Sequence, residues 1–142
     1  LEIQKIRFGD KLRVEWEEYD PALLDCRVPK YLLQPVLENA IKHGMRPKEL
    51  LTIRIHIGCL KGDLSICVSN DGYGLSDDEI AQLNHRLERR EMADHIGLSN
   101  VQERIALRYG SPYGLQLSSG EDRLIRVDIL LPVNMSEVSK HV

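Results

Sequence analysis

Two runs of strict apolar alternation, Leu51 to Ile57 and Leu64 to Val68, flank the turn Lys61-Gly62-Asp63. Leu51, Ile53, Ile55 and Ile57 fall on one face, with Thr52, Arg54 and His56 on the other, the period of a half-buried strand. The pair predicts a β-hairpin. It constrains the fold strongly, because a sheet with one apolar face has to be covered, and the rest of the chain must supply the cover.

The cover is legible where the period changes. From Pro29 to His43, Leu33, Val36, Leu37, Ala40 and Ile41 recur at helical spacing, with Pro29 in the first turn, Gly44 at the C-terminal cap and Pro47 beyond it. Pro35 inside this pattern predicts a kink or a late helix start. Ser76-Asp77-Asp78-Glu79 is a capping box ahead of Ile80, Leu83 and Leu87. His85 to Asp94 is dense in charge and reads as a mobile loop. Gly97 to Tyr109 is a further amphipathic helix through Leu98, Val101 and Ile105, closed by Gly110 and Pro112. Leu12 to Tyr19, ended by Asp20-Pro21, and then Leu115 to Ser118 and Leu124 to Leu131, alternate as strands. The order is strand, helix, strand, strand, short helix, helix, strand, strand. This predicts an α+β fold: a two-layer α/β sandwich with a mixed, mainly antiparallel sheet and helices on one face. One domain is expected over 1–132, with a C-terminal tail over 133–142.

Composition excludes several functions. With 19 Lys+Arg against 22 Asp+Glu, the net charge of -3 argues against a nucleic-acid or membrane-surface binder. No apolar stretch approaches the ~18 residues of a membrane span. Cys26, Cys59 and Cys67 are an odd number without CxxC spacing, which argues against a disulfide framework or a thiolate zinc site. Cys59 and Cys67 lie in apolar runs and read as small buried hydrophobes of a reducing compartment, the cytoplasm by default.

Three polar segments carry chemistry in combination. In LLQPVLENAIKHG, Asn39, Lys42 and His43 cluster opposite the apolar stripe, a pattern that any surface helix shows. An amide oxygen suits Mg²⁺, and a lysine one turn on can meet phosphate as a point charge. NDGYGL, from Asn70 to Leu75, follows a strand with glycines that let backbone approach a ligand, although an ordinary turn looks the same. HIGLSN, from His95 to Asn100, puts a glycine at a helix mouth, where free N–H groups and the dipole favour phosphate. Arg104 adds charge one turn on, or a surface ion pair.

Taken together and in this order, the segments resemble the nucleotide-binding superfamily of DNA gyrase, a heat-shock chaperone, histidine kinases and MutL. ENAIKHG resembles its N box, NDGYG its first glycine box and GLSN its second. With RFGD near the start and IGLSNVQERIALRYG, the sequence resembles the catalytic ATP-binding (Bergerat-fold) domain of LytS/YesM-type sensor histidine kinases, from about Ile6 to Pro132. The resemblance implies ATP and Mg²⁺ as ligands, with Asn39 on the metal and Asn39 and Lys42 as catalytic residues. It implies a nucleotide site formed by Glu38, Asn39, Lys42, His43, Asn70, Asp71, Gly72, Gly74, Leu75, Ile96, Gly97, Leu98 and Asn100, with Ser76 to His95 as an ATP lid.

Departures from the family pattern sharpen this. The adenine-reading Asp of the first glycine box is Asn70 here, so either Asn70 or Asp71 reads adenine. His95 stands where the second box usually opens with Gly. Pro35 replaces the Glu that serves hydrolysing members as a base for water, so efficient hydrolysis is not expected. None of His43, His56, His85, His95 and His141 sits in a context like that of a phosphoacceptor. The resemblance thus implies an acceptor on an upstream dimerisation domain of the same bacterial protein. It also implies a homodimeric, membrane-anchored intact kinase and a response regulator as partner. A serine kinase of the anti-sigma type and a non-catalytic, nucleotide-dependent interaction module are the alternatives.

Overall fold

A computed structural model describes residues 2–18, 30–45, 49–60, 62–72, 74–89, 96–120 and 124–132. The elements run β1 (Glu2–Phe8), β2 (Leu12–Glu18), α1 (Lys30–Gly44), β3 (Leu51–Leu60), β4 (Asp63–Asn70), α2 (Asp77–Arg89), α3 (Ile96–Tyr109), β5 (Gly114–Ser119) and β6 (Ile125–Pro132). They form one six-stranded sheet in the order β1-β2-β3-β4-β6-β5. Only β2 and β3 pair in parallel among these neighbours, and the other four pairings are antiparallel. The expected mixed, mainly antiparallel sheet and the β3–β4 hairpin are present. Asp20-Pro21, Pro29, Pro47, Cys26 and the tail 133–142 lie outside the described residues.

The sheet has one strand more than its alternation suggests. β1 pairs with β2 from Glu2↔Glu18 to Phe8↔Leu12. In EIQKIRF, Gln4 shares a parity with Ile6 and Phe8, so alternation is weak. The strand is set by its turn instead, where Gly9 takes φ +69°.

Register explains the core. Ile55 lies opposite Val68, Val68 opposite Val127, and Leu117 opposite Val127, so one face collects the apolar residues of four strands. Leu32, Val36 and Ala40 of α1, Ile80 and Leu87 of α2, and Leu98, Val101 and Ile105 of α3 are buried with them. Each large side chain so buried contributes roughly 1.5–3 kcal/mol. The opposite face is polar. There Glu15 of β2 receives Arg54 of β3 at 2.9 Å. Cys67 lies on this face, half-buried, and not in the core as its apolar run suggested. Burial pushes its thiol up, while the Arg126 guanidinium beside it pulls the other way. The side chain of Cys59 lies outside the described residues.

Two helix boundaries differ from expectation. α1 begins at Lys30 and continues through Pro35, so there is no late start. Gly44 is the last helical residue and not a left-handed cap; its reason is contact, given below. α2 opens on the expected capping box, with Ser76 Oγ accepting from Glu79 N–H and Glu79 Oε1 accepting from Ser76 N–H, both at 3.1 Å. It then runs to Arg89, so residues 85–89 are helix and not a mobile loop. The buried Leu87 holds that last turn to the core. Residues 90–94 of the expected loop lie outside the described residues.

α2 and α3 also seal a sheet edge. β5 is an edge strand, and its outward groups need partners. Asn84 Nδ2 donates to Leu117 O and Asn84 Oδ1 accepts from Leu117 N–H, both at 2.8 Å. Gln102 Oε1 accepts from Leu115 N–H at 2.7 Å. Asn84→Ala leaves both backbone groups of the half-covered edge at Leu117 without that partner. It is expected to cost about 1–3 kcal/mol, read as a lower midpoint in urea unfolding.

Candidate functional site

The site begins at the end of β4. The β3–β4 ladder runs to Ile53↔Asn70, and one step on the Asp71 side chain takes over. Asp71 Oδ1 accepts from Thr52 N–H at 2.8 Å, and Asp71 N–H donates to Thr52 O at 3.3 Å. The carboxylate thus ends the ladder. Asn70 turns the other way, toward the helices, and is 7% exposed. Its Oδ1 accepts from Gly72 N–H at 3.1 Å, closing an Asx-type turn.

That turn brings the glycine loop onto α1. A Cβ on Gly72 would stand 2.2 Å from Gly44 O and 2.5 Å from Gly44 Cα. A Cβ on Gly44 would meet Leu51 Cδ1 at 3.0 Å and Asn70 Oδ1 at 3.1 Å. Glycine at 72 therefore lets the loop backbone touch α1, and glycine at 44 leaves room for the side chains of Leu51 and Asn70. At the other part of α1, a Cβ on Gly97 would lie 3.3 Å from Pro35 Cβ. α1 is thus seated against the first glycine loop near its C-terminus and against the start of α3 near its middle.

Between these contacts lies a cavity of about 40 Å³, lined by Asn39, Ala40, His43, Gly44, Val68, Asn70, Leu75, Leu83, Leu117, Ile125 and Val127. Its polar groups come from α1 and from Asn70, and its remaining walls are apolar. A larger cavity of about 610 Å³ lies elsewhere, beside Asn84, Gln102 and Tyr113, and none of the expected nucleotide-site residues lines it. Chemistry, not volume, marks the smaller one as the site.

Of the residues singled out in the sequence, the fold brings Asn39, His43, Asn70 and Leu75 together on this cavity. Gly72 and Gly97 support it through α1. Asp71 is directed to Thr52 instead. Glu38 is exposed and accepts from Gln34 Nε2 at 3.0 Å, away from the cavity. Lys42 and Asn100 are exposed, Gly74 is half-buried, and none of them lines it; Leu98 belongs to the core. Lys42 and His43 also stand in the last turn of α1, where cations complement the helix dipole. The side chain of Ile96, which opens α3, and all of His95 lie outside the described residues. The expected lid from Ser76 to His95 has a helix in its first part. Residues 77–89 are a helix fixed to β5, and 90–95 lie outside the described residues.

Leu83, Leu117 and Ile125 line the cavity and were not expected there. Ile125 is there because it is the partner of Asn70 across the β4–β6 ladder, a pairing that only the fold makes. Leu83 and Leu117 gave no signal in the sequence, because they read as ordinary core positions.

Residues 25–135 match the family described as histidine kinase-, DNA gyrase B-, and HSP90-like ATPase. The chain belongs to this ATPase family. Sensor histidine kinase YesM of Bacillus subtilis is 33% identical over 133 residues, 93% of this chain and 22% of YesM. Sensor protein kinase HptS of Staphylococcus aureus is 29% identical over 137 residues, 96% of this chain and 26% of HptS. The ATPase domain therefore spans about a quarter of the length of the curated relatives it matches. The nucleotide-free catalytic domain of histidine kinase ThkA has TM-score 0.63 at 15% identity, covering 86% of this chain and 77% of that one. The histidine kinase domain of a blue-light activated kinase of Erythrobacter litoralis has TM-score 0.57 at 17% identity, covering 95% and 60%. At these identities the likeness is one of fold.

The donor set of this ATPase domain fits a magnesium ion that arrives with its nucleotide. Among the described residues no group of three His, Cys, Asp or Glu is placed to hold a metal. The cavity does offer a half-buried amide at Asn39. Mg²⁺ commonly takes one or two protein oxygens and completes its shell with water and phosphate, so a single amide suits it. No helix among the described residues is long and apolar enough to cross a membrane.

Proposed function

We propose that this domain binds Mg-ATP in the cavity between α1 and the Asn70–Leu75 loop. In the whole protein it passes the γ-phosphoryl group to a histidine on an upstream dimerisation domain. The observation that carries the reading is the convergence of Asn39, His43, Asn70 and Leu75 on one largely apolar cavity. The apolar walls suit a purine, and Asn70 is the polar group set among them. Asn39 would hold the metal, which supplies charge neutralisation across the phosphates. Lys42 adds a point charge beside it, and the first N–H groups of α3 add the positive end of a dipole.

Phosphoryl transfer asks the protein for position and charge more than for covalent chemistry. The bond from Pγ to the β,γ-bridging oxygen breaks, a P–N bond forms on the acceptor imidazole, and ADP leaves. Pro35 offers no base for a competing water, and its ring packs on Gly97. The phosphohistidine then serves a response regulator, in a homodimer anchored at a bacterial membrane.

Mg-ATP is expected to raise the melting temperature of this chain. The protein extended through its own upstream helices is expected to yield an acid-labile, alkali-stable phosphoprotein. An acid-stable product would replace this reading with a serine kinase. Nucleotide binding without any phosphoprotein would replace it with a nucleotide-dependent interaction module.

A further inference from the structure

The chain leaves the sheet at Asp71 by an exchange of partners. The β3–β4 register that runs to Ile53↔Asn70 would next set Thr52 opposite Asp71. At every second pair of an antiparallel ladder two backbone hydrogen bonds are exchanged. Here one is present, from Asp71 N–H to Thr52 O at 3.3 Å. For the other, Thr52 N–H donates to the Asp71 side chain, at 2.8 Å from Oδ1, and not to the Asp71 carbonyl. The carboxylate stands in for its own main chain. It satisfies a backbone donor of the buried Thr52 and lets the chain turn toward Gly72. The cavity depends on that turn. Asn70 Oδ1 accepts from Gly72 N–H at 3.1 Å, which holds the Asn70 amide in one orientation, and Gly72 lies against the backbone of Gly44. Asn70 lines the cavity and Asp71 does not.

We propose that Asp71 is a positioning residue for nucleotide binding, and that of these two neighbours only Asn70 meets the base. The inference rests on the reading that this cavity takes the base of the nucleotide. Without the Asp71 anchor, Thr52 N–H would have no acceptor unless the Asp71 carbonyl closed one more rung of the ladder. That rung would hold the chain straight where it now turns. It would draw Gly72 away from Gly44 and the Asn70 amide out of its seat. What the anchor requires is an oxygen at the right reach. Charge is not required, because an amide oxygen accepts from the same N–H. A carboxylate that met the nucleotide directly would show the opposite dependence.

Two substitutions separate reach from charge. Asp71→Asn keeps the reach and removes the charge, whereas Asp71→Glu keeps the charge and lengthens the side chain by a methylene. In calorimetric titrations with Mg-ATP, Asp71→Asn is expected to give a Kd within about threefold of wild type. Asp71→Glu is expected to raise Kd roughly tenfold, the worth of about one hydrogen bond. Where Asn70 is already alanine, the Asp71→Glu penalty should fall below about threefold, because the group that Asp71 positions is gone. The reverse order, with Asp71→Asn the weaker binder, overturns the proposal and makes Asp71 a direct ligand. Asp71→Glu within threefold of wild type, or a penalty that persists in full beside Asn70→Ala, overturns it too. Wild-type protein that binds no Mg-ATP overturns the underlying reading with it. If Asp71→Glu does not fold, the threefold limit on Asp71→Asn decides alone.

Discussion

Gly72→Ala is expected to destabilise this domain by about 3 kcal/mol, the upper part of the range for forcing extra volume into a packed site. For a chain of this size that lowers the melting midpoint by roughly 10 °C. The reason is the 2.2 Å separation between a Cβ at this position and Gly44 O. The clashing atoms are backbone atoms of α1, so no side-chain rotamer relieves them. Gly62 and Gly110 make the contrast, with φ of +83° and +71° and nothing within 4 Å of an added Cβ. Alanine there pays only for a left-handed backbone, about 1–2 kcal/mol. The Gly72 variant should also bind Mg-ATP poorly, because parting the loop from α1 parts Asn70 from Asn39 and His43. A Gly72→Ala midpoint within 2 °C of wild type would show that the loop backs away from α1 freely, and that the close approach does not hold the site together.

The same contact shows what was legible in the sequence. Glycine at 44 and 72 was visible, and so was their place in recognisable boxes. What each serves was not, because Gly72 makes room for the backbone of Gly44, twenty-eight residues away, and Gly44 for the side chains of Leu51 and Asn70. Gly44 therefore looked like a helix cap, which is a local explanation and the wrong one. Strands with strong alternation, β3 and β4, were legible because each carries its own period. β1 was not, since the turn at Gly9 that pairs it with β2, and not its own pattern, makes it a strand. Cys67 went astray for a related reason: the thiol reads as apolar, but parity in β4 puts it opposite His56 on the polar face. The polar site separated in the same way. Asn39 and Asn70 carry amides that only the fold brings to one cavity, while Asp71, adjacent to Asn70, points to the other side by strand alternation. Residues 85–89 read as part of a mobile loop because they are dense in charge; the buried Leu87 and the amide of Asn84 are what tie the end of α2 down.

Asn39→Ala is expected to abolish the metal-dependent part of nucleotide stabilisation. A ligand at a hundred times its Kd adds about 2.7 kcal/mol to the folded state, which for a chain of this size is close to 9 °C. In the variant that shift should fall below 2 °C. The unliganded midpoint should barely move, because Asn39 is a half-exposed helical position and alanine is the better helix former by about 0.5 kcal/mol. Two further measurements separate metal binding from a mere change of shape. Chelation of Mg²⁺ should reduce the wild-type shift to that of the variant and leave the variant unchanged. Asn39→Asp, which keeps an oxygen in place, should recover most of the Mg²⁺-dependent shift. If Asn39→Ala keeps the full shift, the metal is held elsewhere. With no group of three His, Cys, Asp or Glu placed to hold a metal among the described residues, the nucleotide would then carry its magnesium without a side-chain ligand from this cavity.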